Sequence, residues 1–155
     1  MKRILLFAYL LLLNSIATGQ SVLTGRVIKV TDGDTITILT KNNSQIKVRL
    51  YGIDCPERHQ DFGTRAKLFT SDLSFGKIVE IRVINKDRYG RTVGKVILPD
   101  GKMLNKELLR TGLAWHYKQF DHSVEFARLE QQARQNKAGI WSSRNPVAPW
   151  NFRKP

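Results

Sequence analysis

From Val22 onward the chain alternates apolar and polar positions, then changes period, and that rhythm divides it into elements. Val22 to Val30 has a strand's pattern and ends at Thr31-Asp32-Gly33-Asp34, a turn signal that returns the chain as a hairpin. Thr35 to Thr40 alternates, Lys41 to Ser44 forms the next turn, and Gln45 to Tyr51 alternates again. In that third strand Ile46, Val48 and Leu50 face one way and Lys47 and Arg49 the other, so Arg49 stands opposite its strand's apolar side chains. Phe62 to Phe75 switches to helical spacing, with Ala66, Phe69 and Leu73 on one stripe. Ile78 to Ile84 and Thr92 to Leu98 are two further strands, joined by Asn85 to Arg91. After the Pro99-Asp100-Gly101 turn, a short helix covers Met103 to Arg110 and stops at Gly112. A longer helix covers Val124 to Lys137, with Phe126, Leu129 and Ala133 toward the core. Ile140 and Trp141 close over it, and the tail from Ser142, Trp150 included, is expected to be loose.

This is an α+β order. Five antiparallel strands interrupted by a helix suit a small, partly open β-barrel of the oligonucleotide-binding type, with three α-helices. Fold alone assigns no function.

The first residues stand apart. Lys2 and Arg3 precede ten apolar residues, Ile4 to Leu13, and Ala17-Thr18-Gly19 has the form of a processing site. The apolar run is well short of the roughly 20 residues that cross a bilayer, so residues 1–19 are expected to be a secretory signal peptide. Residues 20–141 then form one domain, residues 142–155 a flexible tail, and the product is a secreted or periplasmic monomer without stable membrane association. The net charge of +13 points to a polyanionic partner, and Cys55, the single cysteine, excludes both an internal disulfide and a multi-cysteine metal site.

Charge of both signs gathers in R-L-Y-G-I-D-C-P-E-R, Arg49 to Arg58. Asp34 and Asp54 each follow a strand, and a barrel edge can bring such positions together. Two close carboxylates repel unless a cation sits between them, and a hard divalent ion with oxygen ligands is the natural solution. An Asp-Gly turn with a capping aspartate and no metal is the plain alternative. Arg49 and Arg91 suit a phosphodiester, because planar guanidinium forks match phosphoryl oxygens bidentately. Glu57 is the candidate to take a proton from water or to orient it. A Cys55 nucleophile would need a neighbouring base, and only His59 is local. His59, His116 and His122 show no ligand spacing and are expected to be surface or partly packed; Trp115 and Trp141 are expected in the core or a lid.

The strings D-G-D-T from Asp32, R-L-x-G-I-D-x-P-E from Arg49 and D-R-Y-G-R from Asp87 stand in one order along the chain. With Phe62-Gly63-x-x-Ala66, Asn105-x-x-Leu108-x-x-x-Gly112-Leu113-Ala114 and Ile140-Trp141, they resemble the staphylococcal nuclease-like (thermonuclease) family from Val22 to Trp141. The resemblance implies a calcium ion held by Asp34, Asp54 and the backbone carbonyl of Cys55. It implies catalysis by Arg49, Glu57 and Arg91, and substrate grip by Arg88, Tyr89 and Tyr117, although the spacing around Tyr117 departs from the family's. It also implies cleavage of DNA and RNA without sugar preference, leaving 3′-phosphate ends. A catalytically silent nucleic-acid-binding barrel is the competitor; such barrels usually lose these carboxylates or arginines, and here all are kept.

Overall fold

A strand of eleven residues, β1 (Val22–Asp32), is long enough to serve two neighbours. Its first half pairs with β5 (Ile78–Lys86) and its second half with β2 (Thr35–Thr40). Register shifts at Val27/Lys29 and Val30/Asp32 bend it between the two. The computed structural model describes residues 21–154. There the sheet closes as β1-β2-β3-β6-β5, with β3 at Gln45–Leu50 and β6 at Thr92–Ile97. The leader expected at residues 1–19 lies outside the described residues. No described helix is long and apolar enough to cross a membrane.

Two expectations need correction. The barrel is closed rather than partly open, and its strands are not all antiparallel, since β3 and β6 run parallel at Val48–Leu50 against Thr92–Gly94. The second follows from the first. Five strands in a closed ring cannot alternate direction all the way round, so at least one seam must be parallel. Gly94 lets β6 approach its other neighbour, β5, closely, because a Cβ there would lie 2.8 Å from the carbonyl oxygen of Arg82.

Val27, Ile36, Ile38, Val48, Ile81 and Val96 are fully buried and fill the barrel. Around it pack α1 (Gly63–Ser74), α2 (Leu104–Arg110) and α3 (Val124–Gln135), the three expected helices with slightly shorter ends. Ala66 on α1, Leu104 and Leu108 on α2 and Phe126 on α3 carry the buried stripes. The buried Asn105 amide donates to the Tyr51 carbonyl at 2.9 Å and its Oδ1 accepts from the Val96 N–H at 3.0 Å. It thereby ties α2 to the turn that leaves β3.

Beyond that turn, β4 (Ile53–Asp54) pairs with β7 (Trp115–His116), a two-residue ladder that holds Asp54 in place. His116, expected at the surface or partly packed, is buried, with Nε2 2.9 Å from Asp121 Oδ1. Trp115 and Trp141 are buried, as expected, in an edge-to-face pair 4.4 Å between centroids.

The tail after Ser142 is seated rather than loose. Pro149 opens a short helix, α4 (Pro149–Phe152), at the position where its missing N–H costs nothing. Ala148 is buried beside the tryptophans, and Gln60 Nε2 donates to the Val147 carbonyl at 2.6 Å. Trp150 packs edge-on against Trp115. The tail has apolar area to bury, and the tryptophan cluster offers the place.

Candidate active site

The β1–β2 hairpin must approach Cys55 and α1 closely, and Gly33 permits it. A Cβ at Gly33 would fall 2.8 Å from both Cβ and Sγ of Cys55 and 2.7 Å from Cβ of Ala66. The Gly33 carbonyl accepts a 2.5 Å hydrogen bond from Thr70 Oγ1, which anchors the hairpin on α1. Asp34 then turns inward, and its Oδ2 accepts the Cys55 backbone N–H at 2.6 Å. Gly63 plays a similar part after β4: a Cβ there would lie 1.9 Å from the Glu57 carbonyl oxygen, so only glycine lets the 56–62 loop fold back onto α1.

Arg49 is opposite Thr35 in the β2–β3 register, next to Asp34 in sequence. Its guanidinium bridges the two aspartates, Nη1 to Asp34 Oδ2 at 2.9 Å and Nη2 to Asp54 Oδ1 at 2.8 Å, and Nη1 also donates to the Leu50 carbonyl at 3.2 Å. Both aspartates are buried. Burial is the largest influence on Asp34; Arg49 opposes it, but Asp32 and Asp54 add repulsion, and the carboxyl is pushed up to about 8. Burial also works against the Arg49 charge, yet the two aspartates outweigh it and hold that group above its ordinary range. The two carboxylates lie too close in a buried site to ionise together, and Asp34 keeps its proton up to about pH 8.

Among the described residues no group of three or more His, Cys, Asp or Glu side chains gathers as a metal cluster. What the site offers is two carboxylates with a strand-end backbone, an all-oxygen donor set that fits a hard divalent cation and gives zinc neither nitrogen nor sulfur. The thiol of Cys55 is buried, and burial with Asp34 beside it pushes its pKa well up. It is a packing group against the hairpin, not a thiolate nucleophile.

Asp34 and Arg49 line one side of a cleft of about 1210 Å³, which also takes in Glu57, Arg88, Tyr89, Arg91 and Tyr117. The other expected site side chains, Asp54 apart, thus meet in one place; Asp54 is buried behind the lining on Arg49, and the Cys55 side chain packs beneath. Loop 86–91 braces itself: Asp87 Oδ1 accepts the backbone N–H groups of Tyr89 (2.9 Å) and Arg91 (3.0 Å), and Asp87 Oδ2 holds Arg91 Nε at 2.6 Å. Burial is the largest single influence on Asp87, but those hydrogen bonds outweigh it and keep the carboxyl below its usual range. The guanidinium groups of Arg88 and Arg91 sit 5.0 and 5.5 Å from the centroid of the exposed Tyr89 ring. Arg91 is thus held by its own loop rather than by the carboxylates.

Two residues of the cleft were missed in the sequence. Trp150 stacks on Tyr117, with centroids 5.1 Å apart and planes 5° from parallel. Arg153 reaches the carboxylates themselves: Nη2 lies 2.7 Å from Asp54 Oδ2 and Nη1 lies 2.5 Å from Glu57 Oε1. Both follow Trp141, past the end of the matching motifs. The Pro149-Trp150 step was the one available sign that the tail takes up structure.

Comparison with known proteins gives the chain its relatives. The family model for staphylococcal nuclease homologues matches residues 47–143. A protein of Haemophilus influenzae named uncharacterized endonuclease is 39% identical over 154 residues, covering 99% of this chain and 86% of its own length. An Escherichia coli protein with the same name is 40% identical over 129 residues, 83% of this chain and 84% of the relative. A Shigella flexneri protein named micrococcal nuclease is 36% identical over 140 residues, 84% of this chain and 80% of the relative.

Proposed function

The chain belongs to the staphylococcal nuclease-like family and is a phosphodiester-cleaving nuclease, and on that premise we propose that it is an exported, calcium-dependent enzyme acting on DNA and RNA with little sequence or sugar preference. The observation that carries the metal dependence is the convergence of two buried aspartates, one from the β1–β2 turn and one from β4, on the single guanidinium of Arg49. Asp34, Asp54 and the Cys55 carbonyl would hold the ion, which when bound supplies positive charge to the phosphoryl oxygens and lowers the pKa of water.

The chain's own residues supply the rest. Glu57, more exposed than the aspartates and facing the cleft, accepts the proton of the attacking water or orients it. Attack on phosphorus crowds five oxygens and extra negative charge around it. Arg49, already fixed beside the carboxylates, meets that charge from one wall and Arg91 from the loop. Departure of the 5′ oxygen leaves a 3′-phosphate. The Tyr89 and Tyr117 rings offer sugar and base a face that any nucleotide can use. The leader carries the product out of the cytoplasm as a monomer.

The test is a cleavage gel with single- and double-stranded DNA and with RNA, in calcium and in excess chelator, run with wild type and Glu57→Gln. Calcium-dependent cleavage that falls by about 10²–10⁴ in the variant, with 3′-phosphate ends, is the expected result. Band shifts without cleavage would make the chain a binding barrel.

A further inference from the structure

Asp54 carries two guanidinium groups, and they are held very differently. Arg49 is 14% exposed and fixed by Asp34 and the Leu50 carbonyl. Arg153 is 43% exposed and rides at the end of a four-residue helix near the end of the chain. Its Nη1 spans Asp54 Oδ1 (3.3 Å) and Glu57 Oε1, while Nη2 takes Asp54 Oδ2. Both oxygens of Asp54 and one of Glu57 are therefore paired with fixed positive charge. A divalent cation approaching Asp54 meets two guanidinium charges, and water approaching Glu57 meets one. Arg49 is anchored on a barrel strand; Arg153 is anchored only through the tail segment that carries it.

We propose that Arg153 is a positioning residue that acts as a tethered counter-cation: it holds Asp54 and Glu57 ready, and the incoming divalent ion must displace it. The inference rests on the reading of Asp54 as a metal-site residue. Chain continuity makes the competition effective. The Gln60–Val147 hydrogen bond, the buried Ala148 and the Trp150–Tyr117 stack keep the guanidinium close to the carboxylates, so it competes at high local concentration. The same stack covers a face of Tyr117, so release of the segment frees a carboxylate pair and an aromatic face together. If the contact is closed nine-tenths of the time, apparent metal affinity falls about tenfold, because only the open fraction can bind.

The experiment is calorimetric titration of calcium alone into wild type, Arg153→Gln, Arg153→Lys and Trp150→Ala, each first checked for a native thermal transition. Arg153→Gln should bind calcium on the order of tenfold more tightly, by removal of the competing charge. Arg153→Lys, which keeps the charge but loses the two-pronged grip, should fall between it and wild type. Trp150→Ala, which frees the segment but leaves Arg153 in place, should shift the same way by less. Calcium uptake that Arg153→Gln leaves unchanged or weakens would overturn this proposal alone, and a raised KM with unaltered calcium affinity would make Arg153 a phosphate contact instead. No uptake by any of the four proteins would overturn both this proposal and the calcium reading.

Discussion

The two walls of the cleft carry the same chemistry on opposite constructions. Asp34 and Asp54 are buried and Arg49 nearly so; a barrel strand, a barrel hairpin with a glycine-permitted close approach, the β4–β7 ladder and one another hold them. Arg91 and Tyr89 stand on an exposed loop whose shape comes from a single aspartate side chain, Asp87, binding its own backbone. The first wall is coupled to folding and charge neutralisation; the second can change without the barrel noticing. Function and stability should therefore separate across the cleft.

Arg49→Ala should show the largest effect, because it leaves buried Asp34 without its cation and buried Asp54 with only the more exposed Arg153. Urea denaturation in chelator should register a loss of about 3–5 kcal/mol, moderated by proton uptake, together with loss of turnover. Arg91→Ala should break the comparison the other way. Its stability should stay within about 0.5 kcal/mol of wild type while kcat falls by about 10²–10³. A variant that unfolds easily, or that turns over normally, would show that the loop is not an independent catalytic wall.

The pH dependence sharpens the contrast. Asp34 has its folded pKa raised to about 8, so its contribution favours the folded state when it is protonated. That contribution is complete below the ordinary carboxylate range, near pH 4, and is lost as pH rises through about 8. Thermal melts in chelator should show stability falling between about pH 4 and about pH 8 and levelling above it, and calcium should suppress that fall. Asp87 has its pKa lowered, so its smaller contribution is present at neutral pH and lost on acidification. Asp87→Asn should cost less than about 1 kcal/mol, as exposed ion pairs do, and slow turnover only modestly through a looser Arg91.

How much of this was legible in the chain depended on range. The alternation in Gln45 to Tyr51 placed Arg49 on the face away from the barrel's filling, and the ordered motifs brought Asp34, Glu57 and Arg91 to one cleft with Asp54 just behind it on Arg49. Local pattern and motif order were enough there. The parallel seam was not legible, because it follows from closing an odd ring and no single segment records that. Nor was the β4–β7 ladder, since two residues show no periodicity. Arg153 was the costliest miss. Its partners lie 96 and 99 residues away, and a polar tail with prolines shows neither period. What seats it is the tryptophan cluster, whose members come from separate stretches of the chain.

The most direct test of the central claim is the turnover of a single-stranded oligonucleotide by wild type and Asp54→Asn, followed across a calcium titration from excess chelator upward. The account predicts no cleavage by wild type in chelator, saturation with calcium, and a variant that needs far more calcium or stays inactive at any concentration. Equal turnover by the two proteins, or cleavage by wild type that persists in chelator, would contradict the assignment of the buried carboxylate pair as the metal site of this nuclease.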